Sequence, residues 1–291
     1  MRRSMLFMPG NNAGMLLNAD FLGADSIILD LEDAVSTAEK DAARILVRNA
    51  ISTLEYTKSE VIVRINPLDS PFYTSDINEI VPTKPSMLML PKVSSREDVL
   101  AYDELVTKRE KECGMEEGTI KFIPLIETAL GIENAYAIAS SHSRVVAVLL
   151  GAEDLSADLG CKRTKEGNEI AYSRGRIVCA AKAAKIACYD TPFTDVNDDE
   201  GLKKDAALAK SLGFTGKASI SPRHVNAINT VFSPTMAEIE YASEVLRTIK
   251  KAKAEGLGVV SLKGKMIDAP IVARAEQVLQ AARELGVDID E

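Results

Sequence analysis

Histidine is scarce in this sequence, and cysteine occurs only at scattered positions. Two of the 291 residues are histidine and four are cysteine, and no two cysteines have the close spacing of a metal-binding or redox pair. A zinc site is therefore not expected, and the cysteines are interpreted as free cytosolic thiols. Only His142 and His224 could act as a histidine base. His142 follows a Ser-rich helix end and is interpreted as a capping or solvated residue.

Long apolar runs are also absent. No stretch approaches the roughly 18 residues that a bilayer-spanning helix needs. The N-terminal apolar run is too short for a secretory signal, and Pro9 and Gly10 close it at once. The sequence therefore predicts a soluble, cytoplasmic protein without a membrane partner.

Basic residues are outnumbered by acidic residues. The chain has 35 Lys and Arg against 43 Asp and Glu, which gives a formal net charge of −8. Nucleic-acid affinity depends on a basic surface that releases counterions, so a nucleic-acid partner is not expected. A phosphate-bearing ligand would need a local basic patch.

What the sequence does contain is a repeated alternation of two patterns. Apolar runs bounded by turn residues alternate with amphipathic stretches of helical period, which is typical of βα units around a parallel sheet. Eight such runs occur, at 4–8, 26–31, 61–65, 87–90, 121–126, 145–150, 186–189 and 216–220. They predict an α/β fold, a (β/α)8 TIM barrel, and the chain length suits that fold. A doubly wound open sheet is the alternative with the same periodicity.

The predicted helices carry start signals. Ser36 with Glu39 and Ser94 with Glu97 match the capping-box pattern, in which a serine and an acidic residue three positions later satisfy each other's backbone amides. Helices are therefore expected to begin after both serines.

The chain continues well beyond the eighth predicted strand. Three helices and a Gly-rich apolar segment are predicted there: 222–230, 235–255, the segment 256–265, and a last helix from Pro270. The Gly-rich segment is not needed to complete a barrel and is a candidate hairpin or lid. The predicted domains are a catalytic barrel at 1–232 and C-terminal helices with a lid segment at 233–291.

Polar residues follow directly after several predicted strands. The carboxyl ends of the strands form the mouth of a parallel barrel, where its active site lies. The residues expected there are Asp30, Glu32, Asp33, Arg64, Lys92, Glu127 and Asp154.

Glu127 and Asp154 follow neighbouring strands and are expected to lie side by side. Two close carboxylates repel unless a cation or a proton lies between them. An oxygen-only pair with room for waters suits Mg²⁺, so both are predicted metal ligands. The alternative is that each acid caps the helix after it.

Arg64 and Lys92 are the predicted cations of the mouth. The planar fork of Arg64 matches a carboxylate or a developing enolate oxygen, so Arg64 is a candidate catalytic and substrate-binding residue. Its alternative role is a structural ion pair with Glu32 or Asp33. Lys92 and Glu127 are further candidates for substrate contact.

A basic run lies on the predicted catalytic face. Lys162, Arg163 and Lys165 are predicted to contact the phosphates of a pantetheine-type arm, with a solvated surface loop as the alternative. Arg3, at the start of the first strand, is a further candidate partner for anionic groups.

Several segments carry motifs of a known family: Met1–Asn11, Leu29–Val35, Val63–Asp69, Pro124–Ile132, Gly151–Asp154, Gly213–Lys217 and Gly256–Asp268. Together they resemble the β subunit of bacterial citrate lyase over essentially the whole chain. Several are shared with the wider group of malyl, citramalyl and citryl thioester lyases. The sequence departs from the citrate lyase pattern at Ser221 and His224, where Asn and Gln are usual.

The resemblance implies a Mg²⁺-dependent carbon–carbon lyase on a β/α barrel. Its substrate would be a citryl thioester on an acyl carrier protein or CoA, cleaved by a retro-Claisen reaction to oxaloacetate and an acetyl thioester. It implies Glu127 and Asp154 as metal ligands, Arg64 as a substrate-binding residue, and Asp268 as the acid/base group of a lid that reaches an adjacent subunit. The implied partners are a citrate lyase α subunit, an acyl carrier protein subunit, and further copies of the chain in a trimer or hexamer.

Three other functions remain open from the sequence. A malyl- or citramalyl-CoA-type lyase would use the same mouth residues. A metal-dependent 2-keto acid aldolase would share the barrel and the carboxylate pair but would not need Asp268. A non-catalytic scaffold subunit would have no reason to collect acidic and basic residues at one mouth.

Overall fold

The fold is built on a closed barrel of eight parallel strands. The computed structural model describes residues 1–254 and 260–289. The barrel strands are β1 (Ser4–Pro9), β2 (Ser26–Asp30), β3 (Glu60–Arg64), β4 (Met87–Leu90), β5 (Lys121–Ile126), β6 (Ala147–Leu150), β7 (Ala187–Asp190) and β8 (Gly216–Ser219). They pair in sequence order and β8 closes on β1, which confirms the barrel and excludes the open sheet.

Helices connect the strands around the outside of the barrel. The α-helices that precede the C-terminal segment are α1 (Ala13–Asn18), α2 (Lys40–Thr53), α3 (Tyr73–Ile80), α4 (Arg96–Glu112), α5 (Ala129–Glu133), α6 (Ala135–Ala139), α7 (Ala152–Asp158), α8 (Ala171–Ala184), α9 (Asp199–Leu212) and α10 (Pro222–Phe232). Short 3-10 helices occupy Ala19–Phe21, Thr37–Glu39, Val81–Thr83 and Asn168–Ile170.

The barrel interior is filled with apolar side chains. Alternate residues of the strands point inward and form one buried cluster of Met5, Ile28, Ile62, Met87, Met89, Ile123, Leu125, Ala147, Leu149, Tyr189 and Ala218. A parallel barrel buries both faces of its strands, which is why the strands read as short continuous apolar runs. The interior is therefore a packed core, and polar chemistry is confined to its ends.

Strand register places the mouth residues level with one another. Pro9 pairs with Asp30, and Asp30 pairs with Arg64, so the last residues of the first three strands lie side by side. Ile126 pairs with Leu150, and the chain then continues into Glu127 and Gly151. Parallel pairing thus brings together residues that are distant in sequence.

The two predicted capping boxes differ from the structure. One lies one residue further along the chain, and the other precedes a 3-10 helix and does not form a capping box. The capping box of α4 is formed by Ser95 and Asp98, one residue beyond the predicted pair, because the Ser95 hydroxyl accepts from the Asp98 amide. Ser36 precedes a 3-10 turn, and its side chain accepts no backbone amide. Its carbonyl accepts the Glu39 amide at 2.9 Å, and its hydroxyl donates to the Glu39 carboxylate. Both sites still mark the beginning of a helical segment.

The chain divides into two compact units, residues 2–230 and residues 231–291 with Met1. The second unit contains α11 (Met236–Ala254), a hairpin of β9 (Val260–Leu262) and β10 (Lys265–Ile267), and α12 (Ala269–Glu284). The hairpin occupies part of the predicted Gly-rich segment, whose residues 256–259 lie outside the described residues. The boundary at 232 and the lid role remain predictions.

No helix in the described parts of the chain is long and apolar enough to cross a membrane.

Candidate active site

A cavity of about 220 Å³ opens at the carboxyl ends of the barrel strands. Five of the residues predicted at the mouth line it: Asp30, Asp33, Arg64, Glu127 and Asp154. The remaining lining residues include Phe7, Leu125, Leu149, Thr191, Pro192 and Ile220. The cavity therefore combines an acidic and basic wall with an apolar wall, as sites for small polar ligands commonly do.

Arg64 is held from several sides. Its Nε and Nη2 donate to the two carboxylate oxygens of Asp30 at 2.7 and 2.6 Å, and its Nη1 lies 2.9 Å from Glu32 Oε2. Its guanidinium carbon lies 5.0 Å from the centroid of the Phe7 ring. Burial acts to lower the pKa of Arg64, but the carboxylates of Asp30 and Glu32 outweigh it and raise the pKa. Arg64 is thus a permanently charged fork with a fixed orientation.

The main partner of Arg64 is not one of the two that the sequence indicated. Asp30 forms the two-pronged ion pair, whereas Asp33 lies 3.8 Å from Arg64 Nη1 and is largely exposed. Both oxygens of Asp30 also accept backbone amides, from Glu32 at 2.9 Å and Ala34 at 3.1 Å. Asp30 therefore has a structural role at the mouth.

Glu32 is a buried carboxylate at the edge of the cavity. Burial raises its pKa to about 7, with Arg64 opposing and Asp33 adding to the effect. Its oxygens lie 2.9 Å from Arg64 Nη1 and 3.3 Å from Lys92 Nζ. These are ion pairs without hydrogen-bond geometry. Residues 31–33, which carry Glu32 after β2, are called the acidic loop below.

Glu127 is the most strongly perturbed carboxylate of the mouth. Burial, with the charges of Glu32 and Asp154, raises its pKa to about 9. Its Oε1 accepts the backbone amide of Lys92 at 2.8 Å. A Cβ atom on Gly151 would lie 2.6 Å from Glu127 Oε2, so glycine at this position is what leaves room for the carboxylate.

Neither Glu127 nor Asp154 caps a helix. The hydroxyl of Thr128 caps α5 by accepting the Gly131 amide at 3.0 Å. Helix α7 begins after Gly151, which has no side chain to offer, and Asp154 lies within its first turn. Both acids line the cavity. Helix capping accounts for neither residue.

Lys92 lines a second cavity and is not among the residues that line the first. It has a left-handed backbone, with a φ of 53°, and its amide faces Glu127. Its side chain lines a second cavity of about 270 Å³ together with Pro67, Leu68, Asp69, Pro91, Ser94, Asp98 and Tyr102. A non-glycine residue with positive φ is strained, and such strain often persists at functional sites.

The predicted basic run is largely neutralised by acidic neighbours. Arg163 lies 2.6 Å from Glu169, and Lys165 lies 2.6 Å from Asp195 and 2.9 Å from Asp198. Lys162 is exposed. The run therefore presents less free positive charge than its sequence indicates, and its contact with a phosphate arm remains a prediction.

Two further cations, Arg3 and Lys217, do not line the cavity. Arg3 donates to Asp25 at the amino end of the barrel, so its expected role as an anion partner at the mouth is wrong. Lys217 points outward from β8 and is fully buried. Its ammonium group lies 2.6 Å from both Asp190 and Asp205 and donates to the Thr191 carbonyl at 2.6 Å. The reason is the alternation of β8, in which Ala218 takes the inward position.

The sites of departure from the family pattern lie next to the cavity. Ser221 follows Ile220, and its hydroxyl accepts the Arg223 amide at the start of α10. His224 is buried, and its ring centroid lies 6.5 Å from that of Phe193.

The other histidine, His142, lies at the opposite end of the barrel, 3.6 Å from Asp103.

Asp268 belongs to the C-terminal unit. It is exposed and is the N-cap of α12, where its Oδ1 accepts the Ile271 amide at 3.1 Å. It directly follows the β9–β10 hairpin. Its predicted part in acid/base chemistry remains a prediction.

The described residues, 1–254 and 260–289, contain no group of three or more His, Cys, Asp or Glu side chains arranged as a metal site. The predicted ligand set is a pair, Glu127 and Asp154. Mg²⁺ commonly takes only one or two protein carboxylates and fills its other positions with water or substrate oxygens. Burial raises the pKa of Glu127, and repulsion from Glu32 and Asp154 adds to the effect; such a cation would relieve that repulsion.

Comparison with known proteins gives concordant matches. Residues 3–222 match the model of the family described as HpcH/HpaI aldolase/citrate lyase. The chain is 45% identical over 282 residues to the citrate lyase subunit beta of Leuconostoc mesenteroides subsp. cremoris, covering 97% of this chain and 93% of that protein. It is 33% identical over 304 residues to an L-malyl-CoA/beta-methylmalyl-CoA lyase of Cereibacter sphaeroides, covering 98% and 95%.

A solved structure agrees with these matches. The CitE protein of Mycobacterium tuberculosis, in complex with magnesium, acetoacetate and coenzyme A, is 30% identical to this chain. It superimposes with a TM-score of 0.80 and covers 97% of this chain and 98% of its own. Fold and sequence therefore point to the same group of proteins.

Proposed function

Because the chain belongs to the HpcH/HpaI aldolase/citrate lyase family, we propose that it is a carbon–carbon lyase that cleaves a citryl thioester. The products are oxaloacetate and an acetyl thioester. The bond that breaks joins the carbon bearing the tertiary hydroxyl to the CH₂ group next to the thioester carbonyl. Cleavage removes the hydroxyl proton and leaves the electron pair on the CH₂ carbon as a thioester enolate, which is then protonated.

The observation that carries this proposal is that Arg64, in a fixed orientation, lines the same cavity as Glu127 and Asp154. Arg64 binds a substrate carboxylate or the oxygen on which charge develops, and its ion pair with Asp30 prevents it from reorienting. A preorganised cation of this kind stabilises developing charge without reorganisation. The thioester itself stabilises the carbanion, so no lysine Schiff base is needed, in keeping with the buried place of Lys217.

We further propose that Glu127 and Asp154 hold Mg²⁺. The fit rests on the oxygen-only pair, of which Glu127 is buried and Asp154 half-buried, on the raised pKa of Glu127 and on the space that Gly151 leaves beside its carboxylate. When bound, Mg²⁺ supplies Lewis-acid polarisation of the hydroxyl and of the ketone that replaces it. Lys92 orients Glu127 through its backbone amide, and its ammonium group, which lies 3.3 Å from Glu32, would bind a substrate carboxylate.

We assign to Asp268 the transfer of a proton to the CH₂ carbon of the thioester enolate. The sequence resemblance supports this role, together with the exposure of Asp268 beside a short hairpin. In the proposed assembly, a homo-oligomer such as a trimer or hexamer, Asp268 of one subunit acts at the barrel mouth of another. The hairpin would then form part of a closing lid.

The acyl carrier is proposed to be a phosphopantetheine-type arm on a protein, or CoA. Relatives are named as subunits of citrate lyase, which supports an α subunit and an acyl carrier protein as partners. Lys162, Arg163 and Lys165 are proposed to face the phosphates of the arm. Of these, Lys162 is the most available.

A malyl- or methylmalyl-CoA lyase is the second candidate function. It is favoured by the 33% identity to the Cereibacter sphaeroides lyase over 98% of the chain. The residues at the mouth suit both reactions, because both release a keto acid from a hydroxyacyl thioester. The higher identity to citrate lyase subunits favours the citryl substrate.

A substrate comparison tests the proposal. The purified chain with Mg²⁺ is supplied separately with citryl-CoA, malyl-CoA and citramalyl-CoA, and the keto-acid product is measured. We expect oxaloacetate from citryl-CoA at the highest kcat/KM and no product after Mg²⁺ is chelated. A preference for malyl-CoA would select the second candidate, and inactivity with every thioester would refute lyase function in the isolated subunit.

A further inference from the structure

Lys40 is a buried lysine whose partners are backbone carbonyl groups. It begins α2, its residue is 8% exposed, and its ammonium group donates to the carbonyl oxygens of Leu31 at 2.8 Å and Glu32 at 2.6 Å. Burying an ammonium group costs free energy that hydrogen bonds must offset. An apolar side chain would fill the same space without that cost. The hydrogen bonds of the ammonium group therefore indicate the role of Lys40.

A second cation on the same helix face reaches the acidic loop indirectly. Arg44, one turn after Lys40, donates to Asp76 Oδ1 at 2.7 Å. The other oxygen of Asp76 accepts both the backbone and the side-chain amide of Asn66, at 2.9 and 2.6 Å. Asn66 in turn donates to the Leu31 carbonyl at 3.0 Å. Two buried cations of α2 thus converge on one loop.

This loop sets the position of Glu32. The Glu32 amide donates to Asp30 at 2.9 Å, and its carbonyl accepts the Lys40 ammonium at 2.6 Å and the Val35 amide at 3.0 Å, so its backbone is fixed on both sides. Its carboxylate has only the ion pairs with Arg64 and Lys92, neither with hydrogen-bond geometry. The place of the Glu32 carboxylate beside Arg64 therefore depends on the backbone.

We propose that Lys40 is a positioning residue of the active site, which fixes the acidic loop so that Glu32 holds the Arg64 guanidinium at the cavity. The proposal rests on the proposed function, in which Arg64 contacts the substrate. Lys40 also adds a positive charge behind Asp30, Glu32 and Asp33 and so reduces the repulsion among them. Burial lowers the pKa of Lys40, and the carboxylates of Asp30 and Glu32 oppose that effect.

The test compares Lys40→Met with a matched control in the full-length chain. The control is Asp20→Asn, because Asp20 is also buried and also fixes a loop, accepting the amides of residues 57–59 at 2.8–3.0 Å at the amino end of the barrel. Three quantities are measured for each: the midpoint of thermal unfolding, amide hydrogen exchange over residues 30–36 and 57–60, and kcat and KM with citryl-CoA and Mg²⁺.

We expect Lys40→Met to speed exchange over 30–36 and to lower kcat about 10- to 100-fold, since small misplacements of catalytic groups cost rates of this order. KM should change less than kcat. Asp20→Asn should speed exchange over 57–60 and keep kcat within about twofold at a similar unfolding midpoint.

Three results would overturn the positioning role. They are unchanged exchange over 30–36 in Lys40→Met, unchanged kcat despite faster exchange, and losses of kcat that follow the unfolding midpoint equally in both variants. If the wild-type chain cleaves no thioester, the proposed function fails instead. Exchange over 30–36 then still decides whether Lys40 holds the loop.

Discussion

At the scale of single residues, the mouth is organised around one arginine. Arg64 donates two hydrogen bonds to Asp30 and lies beside Glu32. These contacts fix the plane of the guanidinium before substrate binds. A lysine offers a point charge on a flexible stem and cannot form both bonds to Asp30. We therefore expect catalysis to depend on the planar geometry of the Arg64 guanidinium more than on its charge.

Replacing Arg64 by Lys tests this geometry. We expect kcat/KM to fall about 100-fold or more, as when a preorganised donor to a developing oxyanion is removed. Circular dichroism and the unfolding midpoint serve as folding controls. Near-wild-type turnover in Arg64→Lys would show that Arg64 is only a structural ion pair.

Glu127 and Asp154 are the second set of residues with a testable role. We expect Glu127→Gln and Asp154→Asn to abolish Mg²⁺-dependent turnover while the fold persists, because carboxylates at a barrel mouth serve function more than stability. Glu127→Gln removes a carboxyl group that burial already disfavours as an anion, so its metal-free stability should equal or exceed that of the wild type. Titration calorimetry with Mg²⁺ checks binding directly, and wild-type affinity in either variant would contradict the assignment.

At the scale of elements, the loops after the strands decide which charges are free. The segment that carries Lys162, Arg163 and Lys165 follows α7, and Lys165 ties it to the loop after β7 through Asp195 and Asp198. Both acids lie in a different loop from the lysine. Their proximity depends on how the β6 and β7 connections cross the mouth.

This arrangement changes the expectation for the basic run. Lys162→Ala alone should raise the KM for the thioester about as much as the triple replacement of Lys162, Arg163 and Lys165 by Ala, with little change in kcat, which marks a loss of uniform binding. Steady-state kinetics at low salt provide the measurement, and Lys58→Ala, at the amino end of the barrel, is the control. An unchanged KM in both variants would separate this loop from the acyl carrier.

At the scale of the whole molecule, our proposal takes one residue of the site from a second subunit. Asp268 lies in the C-terminal unit, far along the sequence from β8. The family resemblance implies that its site is shared between subunits. An acid/base group supplied by another subunit makes activity a property of the oligomer.

Complementation tests the shared site. Asp268→Asn should be nearly inactive while it still binds Mg²⁺. Arg64→Ala should be inactive because it lacks the guanidinium group that contacts the substrate. Mixed under conditions that exchange subunits, the two should recover part of the activity, because some interfaces pair an intact Asp268 with an intact barrel. No recovery, with exchange demonstrated by labelled subunits, would mean that Asp268 acts on its own barrel or has no catalytic part.

The sequence by itself determined the barrel fold and which polar residues lie at the mouth of the barrel. Periodicity and turn residues located all eight strands within about two residues, because these signals are local and each apolar run must be buried. Parallel pairing then required the polar residues after the strands to share one end, which is why Arg64, Glu127 and Asp154 were found together.

Only the tertiary structure decided which of these residues meet. Strand register made Asp30, rather than Glu32 or Asp33, the main partner of Arg64. The path of the loops neutralised Lys165, and Lys40 was directed to the acidic loop by the packing of α2. Contacts of this kind join residues distant in sequence, and no local pattern encodes them, because their geometry is set by the packing of the complete barrel.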